Sequence, residues 1–420
     1  KMKWQTLKIA PLELDLPTVL RCGQAFRWRY IDGVWSCALN NKILLLKESL
    51  VENTRIIEYS NIPESKDSKI ETKTFLESYF NLNVSTLELY KHWSKIDKNI
   101  KMPILAESIL NIKEEKFSEI IPTPPPSTRD SPKLEIGETD PSYGVRILSQ
   151  DPWETLVSFI ISSNNNIKRI SQLCEVLCMK YGTLLGFHSN VPYYSFPKPI
   201  DFYQKYGDIN SNIISNEMYS KLETDLRLLG FGYRAKYIAK TVTKMIETPI
   251  LFEKLNSCDF QTIDKIDRDI ICVEFLKQFD GVGPKVADCV ALMGCKCHDL
   301  VPVDTHVWNI LREQYRTEFN NWVDSMDNDD LEINKSILKK SLSNKAVDVK
   351  IYPFVKRFFK EFWELKAGWA QGVVFAARVR LDNGINSIED VSKLLEKVGI
   401  DNDEKDEKVL LAGKRRKVMS

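Results

Sequence analysis

The sequence predicts an α+β protein in which an N-terminal antiparallel β-sheet with flanking helices packs on an all-α domain. Early in the chain Phe26, Trp28 and Tyr30 alternate with polar residues, and an Asp-Gly pair typical of a hairpin turn follows at Asp32. From residue 144 onward the apolar residues recur at helical spacing instead. A strand-rich part therefore precedes a helical part.

Composition divides the chain into four segments. Residues 1–111 form the β-rich domain, which ends in a polar, helix-like stretch over residues 73–111. Residues 112–143 are rich in proline, serine and charge, which predicts a linker or insert without a core of its own. Residues 144–395 form the helical domain, and residues 396–420 form a charged, flexible tail.

The helical domain opens with a clear start signal. Asp151 is a candidate N-cap, Pro152 suits the first helical position, and Glu154 follows in the first turn. The segments "YRAKYIAKTVTKMI" and "DIICVEFLKQF" are also helical in pattern. The polar residues 327–350 predict a surface insertion.

Charge and cysteine usage exclude several classes of protein. Lys plus Arg number 59 and Asp plus Glu 58, so a nucleic-acid partner requires a local basic face rather than a basic chain. Nine cysteines in 420 residues do not form the framework of a small disulfide-rich domain. The chain has no signal pattern and no apolar run long enough to span a bilayer, so we expect a soluble protein without a membrane partner.

The stretch "FDGVGPKVADCVALMGCKCHDLVPVDTHVW" carries the candidate chemistry. A glycine-framed turn at Gly281 and Gly283 precedes a helix that begins with proline and places Lys285 in its first turn. The helix dipole there disfavours the ammonium, so a free amine is easier to obtain, and a free amine can form a Schiff base with a sugar carbon. Cys289 lies one turn later on the same face, and Asp304 is a candidate N-cap of the next helix.

Each part of this pattern also has a purely structural reading. A Gly-Val-Gly turn is common between helices, a first-turn lysine is usually solvated, and an N-cap aspartate is the default at such a position. Their joint occurrence is much more specific. Two helices joined by such a turn direct backbone N–H groups outward, which suits one phosphate of a nucleic acid.

The combination "GVGPKVADC…VPVDTHVW" resembles the helix-hairpin-helix DNA glycosylase superfamily, and within it the eukaryotic type of 8-oxoguanine DNA glycosylase/AP lyase. The resemblance extends from about residue 14 to about residue 380, apart from the two inserts. It implies excision of 8-oxoguanine and related oxidised purines opposite cytosine, followed by β-elimination at the abasic site. In that chemistry Lys285 is the nucleophile that forms the Schiff base, and Asp304 stabilises the sugar cation.

The resemblance also assigns DNA contacts. Asn164, Arg169 and Arg234 read the cytosine left behind by the flipped base, and Tyr233 wedges into the duplex. The remaining implied contacts to DNA are Arg227, Gly281, Gly283 and His306. Without the resemblance, the three consecutive asparagines would be a capped helix end, and Tyr233 a packing residue.

Four residues form the implied base pocket. Gln371 and Phe375, one helical turn apart, bond and stack on the flipped base, and Cys289 lines the same pocket. Gly23 offers its backbone carbonyl to N7–H of the oxidised base. The structural alternatives are an ordinary core edge for Gln371 and Phe375, and a turn before a strand for Gly23.

No cofactor or metal is expected. No cysteine follows Cys297, so the four-cysteine iron–sulfur pattern of endonuclease III-like relatives is absent from the sequence. The "CKCH" run at Cys295 is a weak zinc pattern, because it has no second half-site. Two rival functions stay open: a non-enzymatic DNA-structure-binding module, and a glycosylase/lyase for pyrimidine damage.

We expect the partner to be double-stranded DNA containing oxidised guanine, bound by a monomer. The basic cluster "KRRK" at residues 414–417 predicts the nucleus as the location, with a mitochondrial pool as an addition. The alternative for this cluster is a solvated terminus.

Overall fold

The computed structural model describes residues 2–7, 9–10, 13–51, 54–63, 68–100, 144–207, 213–260, 265–327, 334–378 and 384–399. The predicted insert at 112–143 and the basic cluster at 414–417 lie outside these residues, and the four segment boundaries stay predictions. No helix in the described ranges combines the length and apolar character needed to cross a membrane.

The predicted N-terminal sheet is present and entirely antiparallel. Its strands are β1 (Gln5–Leu7), β2 (Arg29–Ile31), β3 (Val34–Leu39), β4 (Lys42–Val51) and β5 (Thr54–Ile62), in the spatial order β1-β5-β4-β3-β2. Asp32 and Gly33 have φ angles of 53° and 78°, so the predicted hairpin turn is confirmed. The strand before it is shorter than the alternation suggested, because Phe26 and Trp28 precede its first residue.

The sheet buries both faces, which explains how it joins the rest of the protein. Leu44 and Leu46 of β4 pack in a small core together with Trp28 and the first helices. Ile43 and Leu45, on the opposite face, belong to the large core that contains the helical domain. The alternation of side chains along one strand therefore serves two cores.

The helices follow the predicted order. They are α1 (Leu16–Arg21), α2 (Ser68–Tyr79), α3 (Thr86–Ile96), α4 (Pro152–Ser162), α5 (Ile167–Tyr181), α6 (Asn216–Leu228), α7 (Arg234–Glu247), α8 (Pro249–Ser257), α9 (Lys265–Lys277), α10 (Pro284–Met293), α11 (Thr305–Gln314), α12 (Arg316–Ser325), α13 (Lys335–Ser341), α14 (Tyr352–Trp363), α15 (Ala367–Ala376) and α16 (Ile388–Val398). Asp151 caps α4 by accepting the N–H of Glu154, as predicted.

The helical domain also contains a β-hairpin that the sequence analysis did not predict. Strands β6 (Leu184–His188) and β7 (Val191–Tyr194) pair antiparallel around Ser189 and Asn190, both with positive φ. The hairpin packs against β3 and β4 and extends the contact between the two parts of the protein. Two strands this short, set between long helices, carry too weak a periodic signal to predict.

Buried ion pairs fix the sheet to the helices. Arg27 binds both carboxylate oxygens of Glu154 at 2.7 Å, and Arg29 likewise binds Glu175 at 2.6 and 3.2 Å. Both arginines are almost fully buried. Loss of either partner would leave an uncompensated buried charge, so these pairs set the orientation of the two parts.

The segment predicted as a surface insertion contributes to the core. Residues 328–333 are not described, but α13 buries Leu338, and Leu342 after it is buried as well. The Trp308 indole donates to the Asn344 carbonyl at 3.1 Å. This polar segment thus contains one apolar face, which packs on α11, the helix that Asp304 precedes.

Candidate active site

The glycine-framed turn joins α9 and α10 in a helix-hairpin-helix arrangement. Gly281 has a φ of 80°, and a Cβ atom there would lie 2.6 Å from the Tyr237 ring. Gly283 caps α10 without a side chain, and nothing lies within 4 Å of where its Cβ would be. The first N–H groups of α10 have no intrahelical partner, so this turn offers them to an anion.

Lys285 is the second residue of α10 and is half-buried. Its Nζ atom lies 3.5 Å from Ser162 Oγ and 5.1 Å from the centroid of the Phe159 ring, both at the C-terminal end of α4. Nζ donates a hydrogen bond to the Ser162 hydroxyl, and no carboxylate among the described residues pairs with it. The amine is therefore placed for reaction rather than held in an ion pair.

The thiol of Cys289 interacts with the Lys285 side chain from one turn further along α10. Burial raises the pKa of this thiol to about 12, and the Lys285 charge opposes the rise only in part. At neutral pH the group is a thiol and not a thiolate, so Lys285 is the better nucleophile of the two.

Asp304 is the N-cap of α11, as predicted, and accepts the N–H of Val307 through Oδ1 at 2.9 Å. Its charge contributes to the raised pKa of the Cys289 thiol, whereas the charge of Lys285 acts in the opposite direction. An amine and a carboxylate at two successive helix starts thus act on the same thiol.

A buried network that the sequence analysis missed joins these two helices. The Tyr352 hydroxyl of α14 donates to Asp288 Oδ2 at 2.7 Å and accepts the N–H of Val303, the residue before Asp304, at 3.2 Å. Lys356 pairs with the second oxygen of Asp288. An aspartate on the apolar side of a helix was the one local signal of this network.

Two residues of the predicted base pocket, Gly23 and Phe375, lie next to each other. Gly23 has a φ of 83°, and a Cβ atom there would lie 3.1 Å from Ile167 Cδ1 and 3.7 Å from Phe375 Cε1. The His306 ring stands edge-on to the Phe375 ring at 5.5 Å, so His306 lies at the pocket wall. Gln371 is only 7% exposed, and no hydrogen bond joins its amide to another described residue.

The second predicted cluster surrounds the chain after α4. Asn164 is exposed and has a φ of 48°. Arg234 donates to the carbonyls of Ser163 and Asn164, and the Tyr233 hydroxyl donates to the Ser163 carbonyl at 3.0 Å. Ser162, the residue before Ser163 in the chain, contacts the Lys285 amine. The cluster therefore begins one residue after the contact with the amine.

The two remaining arginines, Arg169 and Arg227, differ in their hydrogen-bond and ion-pair partners. Arg169 is exposed and donates to the Gly230 carbonyl at 3.1 Å. Arg227 is paired with Glu223 at 2.7 Å and also donates to the Gly232 carbonyl. Both therefore support the loop that carries Tyr233, which is 46% exposed.

Comparison with known proteins decides the family. Residues 6–156 match the family model described as "8-oxoguanine DNA glycosylase, N-terminal domain", and residues 157–322 match "HhH-GPD superfamily base excision DNA repair protein". The "N-glycosylase/DNA lyase" of Saccharomyces cerevisiae is 31% identical over 407 residues, which cover 93% of this chain and 90% of that protein. This chain belongs to the N-glycosylase/DNA lyase family.

A second relative and a solved structure agree with this assignment to the N-glycosylase/DNA lyase family. The "N-glycosylase/DNA lyase OGG1" of Arabidopsis thaliana is 26% identical over 90% of this chain and 80% of its own. A Clostridium acetobutylicum 8-oxoguanine glycosylase/lyase, solved with double-stranded DNA containing cytosine opposite 8-oxoG, has the same fold. Its TM-score is 0.55 at 23% identity, over 87% of this chain and 91% of that chain. The predicted family, fold class and enzyme class are confirmed.

Proposed function

We propose that this N-glycosylase/DNA lyase excises 8-oxoguanine and related oxidised purines opposite cytosine from duplex DNA, then cleaves the strand by β-elimination. One observation carries the proposal. Lys285 and Asp304 stand at the starts of two successive helices, and the charges of both act on the Cys289 thiol. The names of the relatives support the substrate, and the rest of the site agrees with it.

DNA binding begins at the hairpin. The free N–H groups at the start of α10 suit a backbone phosphate, and the exposed Gly283 lets the strand approach closely. A base inside a duplex is out of reach of any side chain, so the target nucleotide must be flipped out at a cost of a few kcal/mol. The exposed ring of Tyr233 fills the space that the base leaves.

The orphaned cytosine then faces the cluster after α4. Asn164 and Arg169 are exposed there, and together they offer donors and an acceptor that fit the edge of cytosine. Arg234 already binds two carbonyls of the same loop, so it holds the loop in shape and adds a donor beside the base.

The flipped base enters the pocket beside Gly23 and Phe375. Phe375 stacks on the ring, and the amide of Gln371, which has no hydrogen bond to another described residue, bonds the Watson–Crick edge. Guanine and 8-oxoguanine differ at N7, which carries a hydrogen only in the oxidised base. The Gly23 carbonyl accepts that hydrogen, and it repels the lone pair of guanine, a difference of about 1–3 kcal/mol.

The chemistry needs only side chains of this chain. The free amine of Lys285 attacks C1′ of the deoxyribose, the C1′–N9 bond breaks, and the electron pair leaves with the base. The Asp304 carboxylate stabilises the positive charge that develops on the sugar. Loss of a proton and ring opening give the imine, which acidifies the C2′ hydrogen. Removal of that hydrogen expels the 3′ phosphate, and hydrolysis of the imine regenerates the enzyme.

We further propose that the enzyme acts as a monomer in the nucleus, with a mitochondrial pool. The basic cluster at residues 414–417 is the candidate import signal. Truncation after Gly413 should redistribute a fluorescent fusion, and unchanged nuclear accumulation would remove this cluster from the account. Sedimentation of the enzyme with and without a lesion duplex measures the oligomeric state.

A panel of duplexes tests the substrate. Single-turnover excision should be fastest for 8-oxoguanine opposite cytosine and slow opposite adenine, and duplexes with oxidised pyrimidines should stay intact. Preferred removal of an oxidised pyrimidine would support the rival assignment as a pyrimidine-damage enzyme. Binding of lesion DNA without excision or nicking would support a binding module.

A further inference from the structure

Four cysteine side chains from three parts of the chain meet beyond the C-terminal end of α10. Cys295 and Cys297 follow the last residue of this helix, Cys272 lies in α9, and Cys258 ends α8. The Cys295 thiol interacts with the thiols of Cys258 and Cys272, and the Cys297 thiol interacts with that of Cys272. The proposed excision and lyase reactions use none of these groups.

One of the four thiols is accessible, and the others are shielded. Cys258 is half-buried, whereas Cys272, Cys295 and Cys297 are fully buried. The Sγ atom of Cys258 lies 3.5 Å from the carbonyl oxygen of Gly294, the residue before Cys295. A small solute can therefore reach Cys258, and a protected thiol stands next to it.

Basic side chains act on the cluster. Arg268 donates to the Cys295 carbonyl and lies 3.7 Å from Cys297 Sγ. The hydrogen bond from Cys295 lowers the pKa of Cys258, and the charges of Arg268 and Lys296 lower it further, while burial and the charge of Cys272 oppose them. A partly exposed thiol with a lowered pKa and a neighbouring thiol is the arrangement of a reversible oxidation site.

We propose that Cys258 and Cys295 form a reversible disulfide when the folded enzyme meets a peroxide. The Cys258 thiolate attacks one peroxide oxygen, the O–O bond breaks, and the products are a sulfenic acid and hydroxide. The Cys295 sulfur then attacks the Cys258 sulfur, and the sulfenic hydroxyl leaves as water with the thiol proton. Two thiols are oxidised and one peroxide is reduced to two waters.

Oxidation fits this cluster better than metal binding. Throughout the described part of the chain, no group of three or more His, Cys, Asp and Glu side chains is arranged to hold a metal ion. The disulfide would join the end of α8 to the residue after Gly294, and so anchor the far end of the helix that presents Lys285.

Peroxide titration of the native, full-length enzyme tests the proposal without a variant. Free thiols are blocked with iodoacetamide after brief exposure to hydrogen peroxide, and the digest is examined by mass spectrometry. We expect a Cys258–Cys295 cross-linked peptide whose mass is lower by two hydrogen atoms. Treatment with dithiothreitol should reduce this cross-link and restore both thiols. Cys174 and Cys178, fully buried one turn apart in α5, are the internal control and should stay reduced.

Two variants separate the roles of the partners. Cys295→Ser should leave a sulfenic acid at Cys258 that dimedone captures, and Cys258→Ser should leave Cys295 reduced. A disulfide between Cys272 and Cys297 with Cys258 free would overturn the proposal. Oxidation of Cys174 at the same rate as Cys258 would overturn it as well, and so would a native mass that includes zinc, with all four thiols protected.

Discussion

The Tyr352 hydroxyl joins α10, the helix of Lys285, to Val303, the residue before Asp304. It donates to Asp288, one turn after Lys285, and accepts the N–H of Val303, next to Asp304. Burial raises the pKa of the Asp288 carboxyl, and the Lys356 ammonium acts against that rise. A buried group that touches neither Lys285 nor Asp304 thus connects the two segments that carry them.

This network predicts a catalytic defect in a positioning residue. Tyr352→Phe removes the bridge and leaves the buried N–H of Val303 unpaired, at a cost of about 1–3 kcal/mol in the free energy of unfolding. Since small displacements of reacting groups are costly, single-turnover excision should fall about tenfold or more, with lesion binding little changed.

Tyr315→Phe is the matched control, because its hydroxyl also donates to a buried carboxylate, that of Asp97, at 2.7 Å. It should lower stability to a similar degree in urea titrations while excision per folded molecule stays normal. Equal loss of excision in both variants would show that Tyr352 matters only for stability.

The two glycines of the hairpin should respond differently to alanine. Gly281→Ala combines a positive φ with a clash against the Tyr237 ring, so the melting temperature and DNA binding should both fall. Gly283→Ala meets no neighbouring atom and should fold normally, yet bind DNA more weakly because its methyl group occupies the path of the strand. Thermal melts and binding isotherms distinguish the two effects; normal DNA affinity for Gly283→Ala would place the strand elsewhere.

Base recognition by Gly23 can be separated from lyase chemistry. In Gly23→Ala the new methyl group would crowd Ile167 at 3.1 Å, and the φ of 83° would be strained for alanine, so the carbonyl should shift and removal of 8-oxoguanine should slow by about tenfold to a hundredfold. Nicking of a preformed abasic site should stay largely intact, because it needs no base in the pocket.

Gly33→Ala is the control for backbone strain in that experiment, since Gly33 has a φ of 78° and no atom within 4 Å of its Cβ position. It should leave both activities unchanged. Parental removal of 8-oxoguanine by Gly23→Ala would show that this carbonyl does not read the base.

Variants of two arginines in the cytosine cluster should separate an effect on base specificity from an effect on stability. Arg169→Ala removes an exposed guanidinium and a solvent-exposed hydrogen bond to the Gly230 carbonyl, so the preference for cytosine over adenine should narrow with little change in melting temperature. Arg234→Ala removes a buried one that binds two loop carbonyls, so preference and melting temperature should both fall. Excision rates opposite each of the four bases provide the measurement, and an unchanged preference in both variants would exclude this surface as the reader of cytosine.

Local signals explain which parts of the protein the sequence could predict. The starts of α4, α10 and α11 follow from caps and prolines close in the chain, so Asp151, Lys285 and Asp304 lie where expected. His306 was grouped with the DNA contacts, and its packing on Phe375 depends on how α11 meets α15.

Contacts between distant segments account for what the sequence could not predict. Asp288 and Tyr352 lie 64 residues apart and meet only when α14 folds against α10. The partners of the "CKCH" cysteines come from α8 and α9, and neither Cys258 nor Cys272 has a spacing that marks it. Periodicity along the chain does not predict such long-range contacts, because they depend on tertiary packing.

Borohydride trapping tests the central claim, that Lys285 forms the covalent intermediate. With a duplex carrying 8-oxoguanine opposite cytosine, the parent enzyme should become irreversibly joined to DNA, and peptide mapping should place the link on Lys285. Lys285→Gln should still bind the lesion but give neither adduct nor released base. Lys221→Gln, which alters an exposed lysine paired with Glu217, is the control and should trap normally. A persistent adduct in Lys285→Gln would contradict the account and assign the reaction to another amine.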